Sequence, residues 1–174
     1  MADPARIKDV SDGVAAFLAA QWSPPPLAAP DTVESVWVDR FTLNVNEPDR
    51  LITGRRVRVM PVVPGLTALA RGLWKNKYAV AVMLAERYTD PGEPTEAWID
   101  ERVRWWERSI LYPLCNPELV IEGPGGIVTA CQPDPETPPE VTDFVDRDML
   151  TDLKLLFIVT NFAFMDATDH TGAG

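Results

Sequence analysis

Few residues in this chain have the type and spacing that catalysis requires. His170 is the only histidine, and it lies in a C-terminal tail that we expect to be disordered, so a Ser-His-Asp or Cys-His mechanism has no base in a packed site. The carboxylate pairs Glu96/Asp100 and Glu118/Glu122 have spacings that suit a general acid–base pair or a hard-metal site. Such pairs are more often solvated surface charges. The sequence therefore predicts no catalytic residue and no metal ligand.

The glycine-rich stretch 123–126 (GPGG) and the two cysteines are the remaining candidates for chemistry. A strand pattern follows the glycines where a phosphate-binding loop needs a helix, and no Lys-Ser/Thr pair follows them, so a phosphate cradle is disfavoured. Cys115 and Cys131 have no histidine at metal-binding spacing. We predict reduced thiols, with a Cys115–Cys131 disulfide as the alternative. We expect no cofactor, and the chain is not predicted to be an enzyme.

Arg55, Arg56 and Arg58 form the one basic cluster of the sequence. Strand alternation places Arg56 and Arg58 on the same face. With the basic residues that follow as far as Lys77, they suit a positive band for nucleic acid or an acidic partner. The alternative that we favour is ion pairing across strands or between subunits with the chain's many carboxylates.

Trp98 and Trp105 lie seven residues apart on a predicted helix. They are either part of the core or part of a subunit contact, because tryptophan and arginine are both enriched in interfaces. The candidate contacts with another subunit or a partner are Arg55, Arg56, Arg58, Trp98 and Trp105.

The composition indicates a globular domain. With 174 residues, 46% hydrophobic and 24% charged, the chain has the length and apolar content for one packed core, which excludes wholesale disorder. Its net charge of −10 and isoelectric point near 4.5 disfavour general affinity for duplex DNA or anionic membranes. No apolar run approaches the ~20 residues that cross a bilayer, and the N-terminus does not resemble a secretory signal.

Periodicity predicts two helices, at about 4–22 and 94–112, and several strands. Alternating or apolar runs predict strands at 33–45, 55–63, 77–88 and 153–165, the last of them central because it is apolar on both faces. A short hairpin is expected around the glycines, between 119–122 and 127–131. We assign 23–32 to a proline-rich connector, 66–76 to a loop, 132–143 to an acidic, proline-rich surface loop and 167–174 to a disordered tail. The predicted class is a single α+β domain, with a mainly antiparallel sheet of about four to six strands packed against one long helix and the N-terminal helix.

The order of these elements resembles that of the tail terminator (tail completion, neck) proteins of long-tailed bacteriophages and prophages. The resemblance covers about residues 5 to 166. It rests on an N-terminal helix, a long strand, the segments RRVRVMPVV and KYAVAVMLAERY, a Pro-Gly turn, the helix WIDERVRWWERSIL and the final strand LKLLFIVTNFAF. The connector at 23–30 and the loop at 132–143 are longer than the compact pattern of that family.

The resemblance implies a virion structural protein that is made in the bacterial cytoplasm and acts without catalysis. A hexameric ring of copies would bind the last ring of tail-tube subunits, stop elongation and present a surface to the head connector. DNA would pass through an acidic lumen without specific binding, because phosphates and carboxylates repel each other. Head-closure or connector adaptors and minor tail proteins have a similar size and a similar mixture of helices and strands, and they are alternatives within the same class. From other classes, a cytoplasmic oligomeric binding module and a small carboxylate-based enzyme remain alternatives.

Overall fold

The computed structural model of the chain describes residues 4–22, 32–37, 54–62, 77–145 and 147–166. The helices are α1 (Pro4–Gln21), α2 (Glu96–Trp106), α3 (Tyr112–Leu114) and α4 (Arg147–Asp152), and a π-helical segment, Glu107–Leu111, joins α2 to α3. The strands are β1 (Thr32–Ser35), β2 (Arg55–Val62), β3 (Lys77–Arg87), β4 (Cys131–Pro133), β5 (Glu140–Phe144) and β6 (Leu155–Asp166).

The strands form one six-stranded mixed sheet in the order β1-β2-β3-β6, and both β4 and β5 pair with the far side of β6. Only β1 and β2 run parallel; the other pairs are antiparallel. Strand β6 is therefore central, as its two apolar faces predicted. The predicted α+β class of a single domain is confirmed.

The core lies between one face of the sheet and helices α1 and α2. The apolar stripe of α1, which includes Ile7, Val10, Val14 and Leu18, is fully buried. Alternate residues of β3 and β6 meet it, and the register pairs Tyr78 with Phe164, Val80 with Phe162 and Leu84 with Ile158. The apolar residues that recur about every 3.6 positions in the helix and at every second position in the strands therefore pack into one common core.

The long helix begins at Glu96 because Thr95 caps it: the Thr95 hydroxyl accepts from the Trp98 N–H at 3.2 Å. Its C-terminal part widens into the π-helical segment. Pro113 lacks an N–H, and its ring would clash with the Ser109 carbonyl in a regular α-helix. The Tyr112 N–H donates to the Glu107 carbonyl, five residues back, and the wider turn makes room for the proline. The predicted helix at 94–112 is observed, with a different turn geometry near its end.

Three sequence predictions need correction. The strand predicted at 33–45 covers only Thr32–Ser35 in the described part, and Thr32 belongs to this strand and not to the connector. The segment 132–143 contains most of β4 and β5, because the outer backbone edge of β6 requires hydrogen-bond partners. Helix α4 is absent from the sequence predictions. The expectations for 23–31, 38–53, 63–76 and 167–174 concern positions outside the described residues.

Candidate functional site

Three of the five predicted contact residues meet around a carboxylate that the sequence analysis does not single out. Glu86 lies at the end of β3 on the parity that faces the core, and its exposed fraction is only 9%. One of its oxygens accepts from Arg55 Nε at 2.8 Å, and the other accepts from Arg102 Nε at 3.2 Å and Nη2 at 3.0 Å. The antiparallel register places Arg55 directly opposite Glu86, and α2 supplies Arg102.

Each of these arginines also lies over a tryptophan ring. The guanidinium carbon of Arg55 is 4.5 Å from the ring centre of Trp105, and that of Arg102 is 4.6 Å from the ring centre of Trp98. Both distances are within the range of cation–π attraction. We call these residues, with Glu86, the arginine–tryptophan cluster.

Two further aromatic rings extend the cluster towards other elements. The ring of Trp22, which follows α1, lies 5.6 Å from that of Trp105, and Tyr88 packs edge-on against Trp98 at 5.1 Å. The cluster therefore connects α1, β2, β3 and α2. Because the glutamate and both arginines are almost fully shielded from water, their ion pairs fix the position of α2 on the sheet.

This arrangement shows where Arg55, Trp98 and Trp105 lie within the subunit. Arg55 pairs with a carboxylate of its own subunit, which is the cross-strand pairing that the sequence analysis favoured. Trp105 is 8% exposed and belongs to the core, whereas Trp98 is half-buried against it. Both oxygens of Glu86 accept from arginine, so the cluster is a structural brace. A role of these residues in contacts with another subunit stays a prediction.

Arg56 and Arg58 lie on the opposite face of the sheet. Their register partners on β3 are Ala85 and Met83, which point away from the core face. Arg58 lies 3.8 Å from Glu34 of β1, its register partner on that side. Arg56 Nε is buried and has no hydrogen-bond partner among the residues that the structure describes.

A second buried carboxylate, Asp9 of α1, occupies the glycine-rich hairpin. Asp9 is 3% exposed, and its oxygens accept from the N–H groups of Gly125 at 2.6 Å, Ile127 at 2.9 Å and Val128 at 2.8 Å. Such a group of backbone donors is an anion-binding nest. The stretch that the sequence analysis considered as a phosphate cradle thus holds a carboxylate of the chain itself.

Glycine is required around Asp9 because other side chains do not fit. A Cβ at Gly123 would overlap the Asp9 carboxylate, and a Cβ at Gly125 would lie 2.7 Å from one of its oxygens. On α1, a Cβ at Gly13 would lie 2.5 Å from the Glu122 carbonyl oxygen. The helical glycine and the hairpin glycines therefore belong to one close contact between α1 and the hairpin. The hairpin predicted between 119–122 and 127–131 is observed only as one bridge, in which Ile121 pairs with Cys131.

Tyr78 and Asp166 connect the start of β3 to the end of β6. The Tyr78 hydroxyl donates to Asp166 at 2.7 Å and accepts from Arg6 Nε at 3.2 Å. Burial, together with the hydrogen bond to Asp166, raises the pKa of Tyr78 to about 12. Burial likewise raises the pKa of Cys131 to about 12, so this thiol stays protonated and unreactive near neutral pH.

Lys77, next to Tyr78, pairs with the buried Asp134 at 2.7 Å. Burial alone would raise the pKa of Asp134, but hydrogen bonds from Lys77, Thr137 and the Glu136 N–H outweigh burial and lower it. The hydrogen bond to Asp134 raises the pKa of Lys77. Asp134 therefore anchors the start of the acidic segment to β3.

The other sequence candidates show no converging chemistry. Asp100 pairs with Arg104 at 2.9 Å on the surface of α2, and Glu118 and Glu122 are exposed. Cys115 and Cys131 are free thiols, one exposed and one buried. Within the described residues, no group of three or more His, Cys, Asp or Glu side chains is placed to bind a metal ion.

No protein-family profile, curated protein or solved structure matches the chain. None of the described helices is long and apolar enough to cross a membrane.

Proposed function

We propose that this protein is a tail terminator of a long-tailed bacteriophage or prophage, a virion protein that works by assembly. Copies of the chain form a hexameric ring on the last ring of the tail tube, stop its elongation and provide the surface that joins the head connector. DNA passes through the lumen of the ring without specific binding.

The observation that carries the proposal is the pairing of the elements on which the family resemblance rests. Strand β3 ends in Glu86-Arg87, is followed by Tyr88 and leads across a turn into α2, and β6 returns to pair with β3 along all of its length. In the tail terminator family, a middle strand that ends in Arg and Tyr leads into a helix, and the C-terminal strand returns to the sheet. The same order is present here, with α1 and α2 on one face of the sheet.

The charge of the chain also supports the proposal. Six copies with a net charge of −10 each form a strongly acidic ring, and an acidic lumen repels the DNA backbone and keeps it mobile. The basic side chains Arg55 and Arg102 pair with carboxylates of their own subunit, Glu86 for both and also Glu101 for Arg102. They are therefore engaged within the subunit and do not form a basic patch that would hold DNA.

The test starts from the DNA that flanks the gene. Portal, capsid, tail-tube and tape-measure genes beside it are expected, and they would supply the natural tube protein. The purified chain is then added to polymerising tubes, and electron microscopy measures the tube lengths and the density at the tube ends.

A terminator caps one end and stops growth at substoichiometric amounts. Binding to the portal complex without any effect on tube growth would instead identify a connector adaptor. A metabolic gene neighbourhood would refute the proposal. If tail genes are found, natural tubes that grow normally in the presence of the purified chain would refute it.

A further inference from the structure

We infer that Arg56 binds Glu140 of a second copy of this chain, in a head-to-tail contact between opposite edges of neighbouring sheets. The inference names the subunit contact of the proposed ring and rests on that function for its biological setting. Its physical basis is the surroundings of Arg56, the position of Glu140 and the two sheet edges.

Arg56 lies on a strand face that gives it no carboxylate among its register neighbours. These are Thr32 of β1 and Ala85 of β3, whereas the next arginine on the same face, Arg58, has Glu34 as its register neighbour. The Nε of Arg56 is withdrawn from water and lacks a hydrogen-bond acceptor in the described part of the chain. A buried guanidinium donor without an acceptor is unfavourable, but the Arg56 side chain as a whole is partly exposed. A rotamer that turns the guanidinium group outward would let an external carboxylate satisfy it with a charge-assisted bond.

In the part of the chain that the structure describes, one short side chain separates Arg56 from the outer side of β1. Arg56 is one strand, or about 4.8 Å, away from β1. The residue that it must cross is Thr32, which has a short side chain. An extended arginine is long enough to cross one strand and present its guanidinium group at the outer side of β1.

Glu140 provides the matching carboxylate at the other edge. It is exposed, begins β5 and pairs in register with Asn161, which in turn pairs with Ala81. Ala81 pairs with Met60, which has the same parity on β2 as Arg56. Glu140 and Arg56 therefore lie on the same face of the sheet but at opposite edges.

Two sheet edges are available for such a contact in the described residues. Strand β1 pairs only with β2, and β5 pairs only with β6. Two sheets placed side by side, with their Arg56 faces on the same side, bring the β5 edge of one copy to the β1 edge of the next. Because the two surfaces differ, the contact is heterologous, and repeated contacts of this kind close into a ring when the rotation allows it.

A second copy is the occupant that the charges favour. The chain carries 26 acidic and 16 basic residues, so each copy has carboxylates in excess. The same excess repels nucleic acid, which is the other class of anion that an arginine on a sheet face attracts. Salt should weaken the Arg56–Glu140 pair itself, and it also screens the repulsion between copies that each carry a net charge of −10.

A charge-swap experiment tests the inference. Sedimentation velocity measures self-association of the wild type, of Arg56→Glu and of Glu140→Arg, each over a range of protein concentrations. Each single variant should associate at least about tenfold more weakly than the wild type, because like charges then face each other. An equimolar mixture of the two variants should recover association. In such a mixture the glutamate introduced at position 56 meets the arginine introduced at position 140, and the unchanged Arg56 and Glu140 meet at the next contact.

Matched controls separate this contact from general effects of charge. Arg108→Glu and Glu118→Arg change exposed residues of the same types, and both should associate as the wild type does. Circular dichroism and tryptophan fluorescence verify that every variant is folded. If Arg56→Glu does not fold, Arg56→Gln is combined with Glu140→Gln. Because both substitutions break the same pair, the double variant should associate no more weakly than the single glutamine variant with the lower affinity.

Three results would overturn the inference. They are a wild type that stays monomeric up to its highest soluble concentration, single variants that associate normally, and a mixture that fails to recover. Loss of duplex-DNA binding in Arg56→Gln with unchanged self-association would show that the ligand is a nucleic acid instead. Tube capping is measured separately, so normal capping by an Arg56 variant refutes this contact and leaves the proposed function intact.

Discussion

The contact between Asp9 and the glycine hairpin gives the most specific stability prediction. Replacing Asp9 with Asn keeps the size of the side chain but exchanges one carboxylate oxygen for an amide nitrogen, which is a donor. In the native structure, one oxygen accepts from Gly125 and the other from both Ile127 and Val128. The best orientation of Asn therefore keeps the two bonds to Ile127 and Val128 and places an NH₂ group against the Gly125 N–H.

The size of the effect follows from these bonds. A hydrogen bond to a charged group contributes about 1.5–3 kcal/mol, and a buried donor left without a partner costs about 1–3 kcal/mol. Asp9 is 3% exposed and the bond from Gly125 is partly buried, so water replaces the lost acceptor only in part. We expect Asp9→Asn to lower the free energy of unfolding by about 3 kcal/mol, which for a chain of this length lowers Tm by about 6–12 °C.

The assay is urea unfolding followed by tryptophan fluorescence, with Asp12→Asn as the matched control. Asp12 lies one turn further along α1, its side chain is 35% exposed, and it pairs with Lys8. A pair of this kind contributes only about 0.3–0.5 kcal/mol. A loss for Asp9→Asn that is no larger than the loss for Asp12→Asn would refute our account of the nest.

A double-mutant cycle tests the steric part of the same account. The Cβ of Gly125→Ala would lie 2.7 Å from the Asp9 oxygen, so this substitution should cost less in an Asp9→Ser background, with a coupling of about 0.5–3 kcal/mol. Gly126→Ala is the control. Its cost comes from a positive φ of 70°, and nothing lies within 4 Å of the added carbon, so it should be independent of residue 9.

The remaining predictions concern the arginine–tryptophan cluster, the backbone and the response to alkali. Glu86→Gln should lower the free energy of unfolding by about 3–5 kcal/mol in urea titrations, because two shielded arginines lose the charge of the buried carboxylate that both contact. Glu101→Gln removes only the partner of Arg102 that is 71% exposed, and it should change the free energy of unfolding by less than about 0.5 kcal/mol. Lys154→Gly should raise Tm, since Lys154 has a φ of 54° and relief of a left-handed conformation is favourable by about 1 kcal/mol. Thr151→Gly, within α4, should lower Tm. Burial raises the pKa of Tyr78 to about 12, so its contribution to stability is complete below pH ~10, where a free tyrosine is protonated, and is lost as the pH rises through the folded pKa; Tyr78→Phe should flatten this alkaline decline.

Each of these predictions has an outcome that contradicts it. Equal losses for the two glutamine variants would mean that Glu86 is solvated in solution. A lower Tm for Lys154→Gly would mean that the side chain matters more than its backbone angle. A Tyr78→Phe variant with the same alkaline decline as the wild type would place the decline elsewhere, and ultraviolet absorbance of tyrosinate would identify where.

The parts of the fold that the sequence predicted are those that local pattern determines. The apolar stripe of α1 and the alternation in β3 are local, and both predicted faces are buried. The prediction of a loop at 132–143 is wrong because the pairing of this segment is decided by β6, which lies beyond α4 in the chain. A strand that is exposed on its outer side has little apolar signal of its own.

The buried carboxylates escape sequence analysis for the same reason. Glu86 is 31 residues from Arg55 and 16 from Arg102, and Asp9 is 116 residues or more from the backbone groups that it binds. A signal is nevertheless present. The signal is that of Glu86, which continues the parity of Tyr78 to Leu84. Asp9 points about 100° away from its neighbour Val10 around α1, outside the apolar stripe, and has no such signal.

A charged residue on a buried parity costs a large desolvation free energy unless donors meet it, so its position in the sequence implies that donors exist. Two sets of donors stand out in the sequence, the only arginine cluster and the only glycine-rich turn. From the sequence, each of them is a candidate site for an external ligand. In both cases an internal carboxylate occupies the donors, and Arg56, whose Nε has no such partner in the described residues, is the member of the cluster that is left for a contact with another molecule.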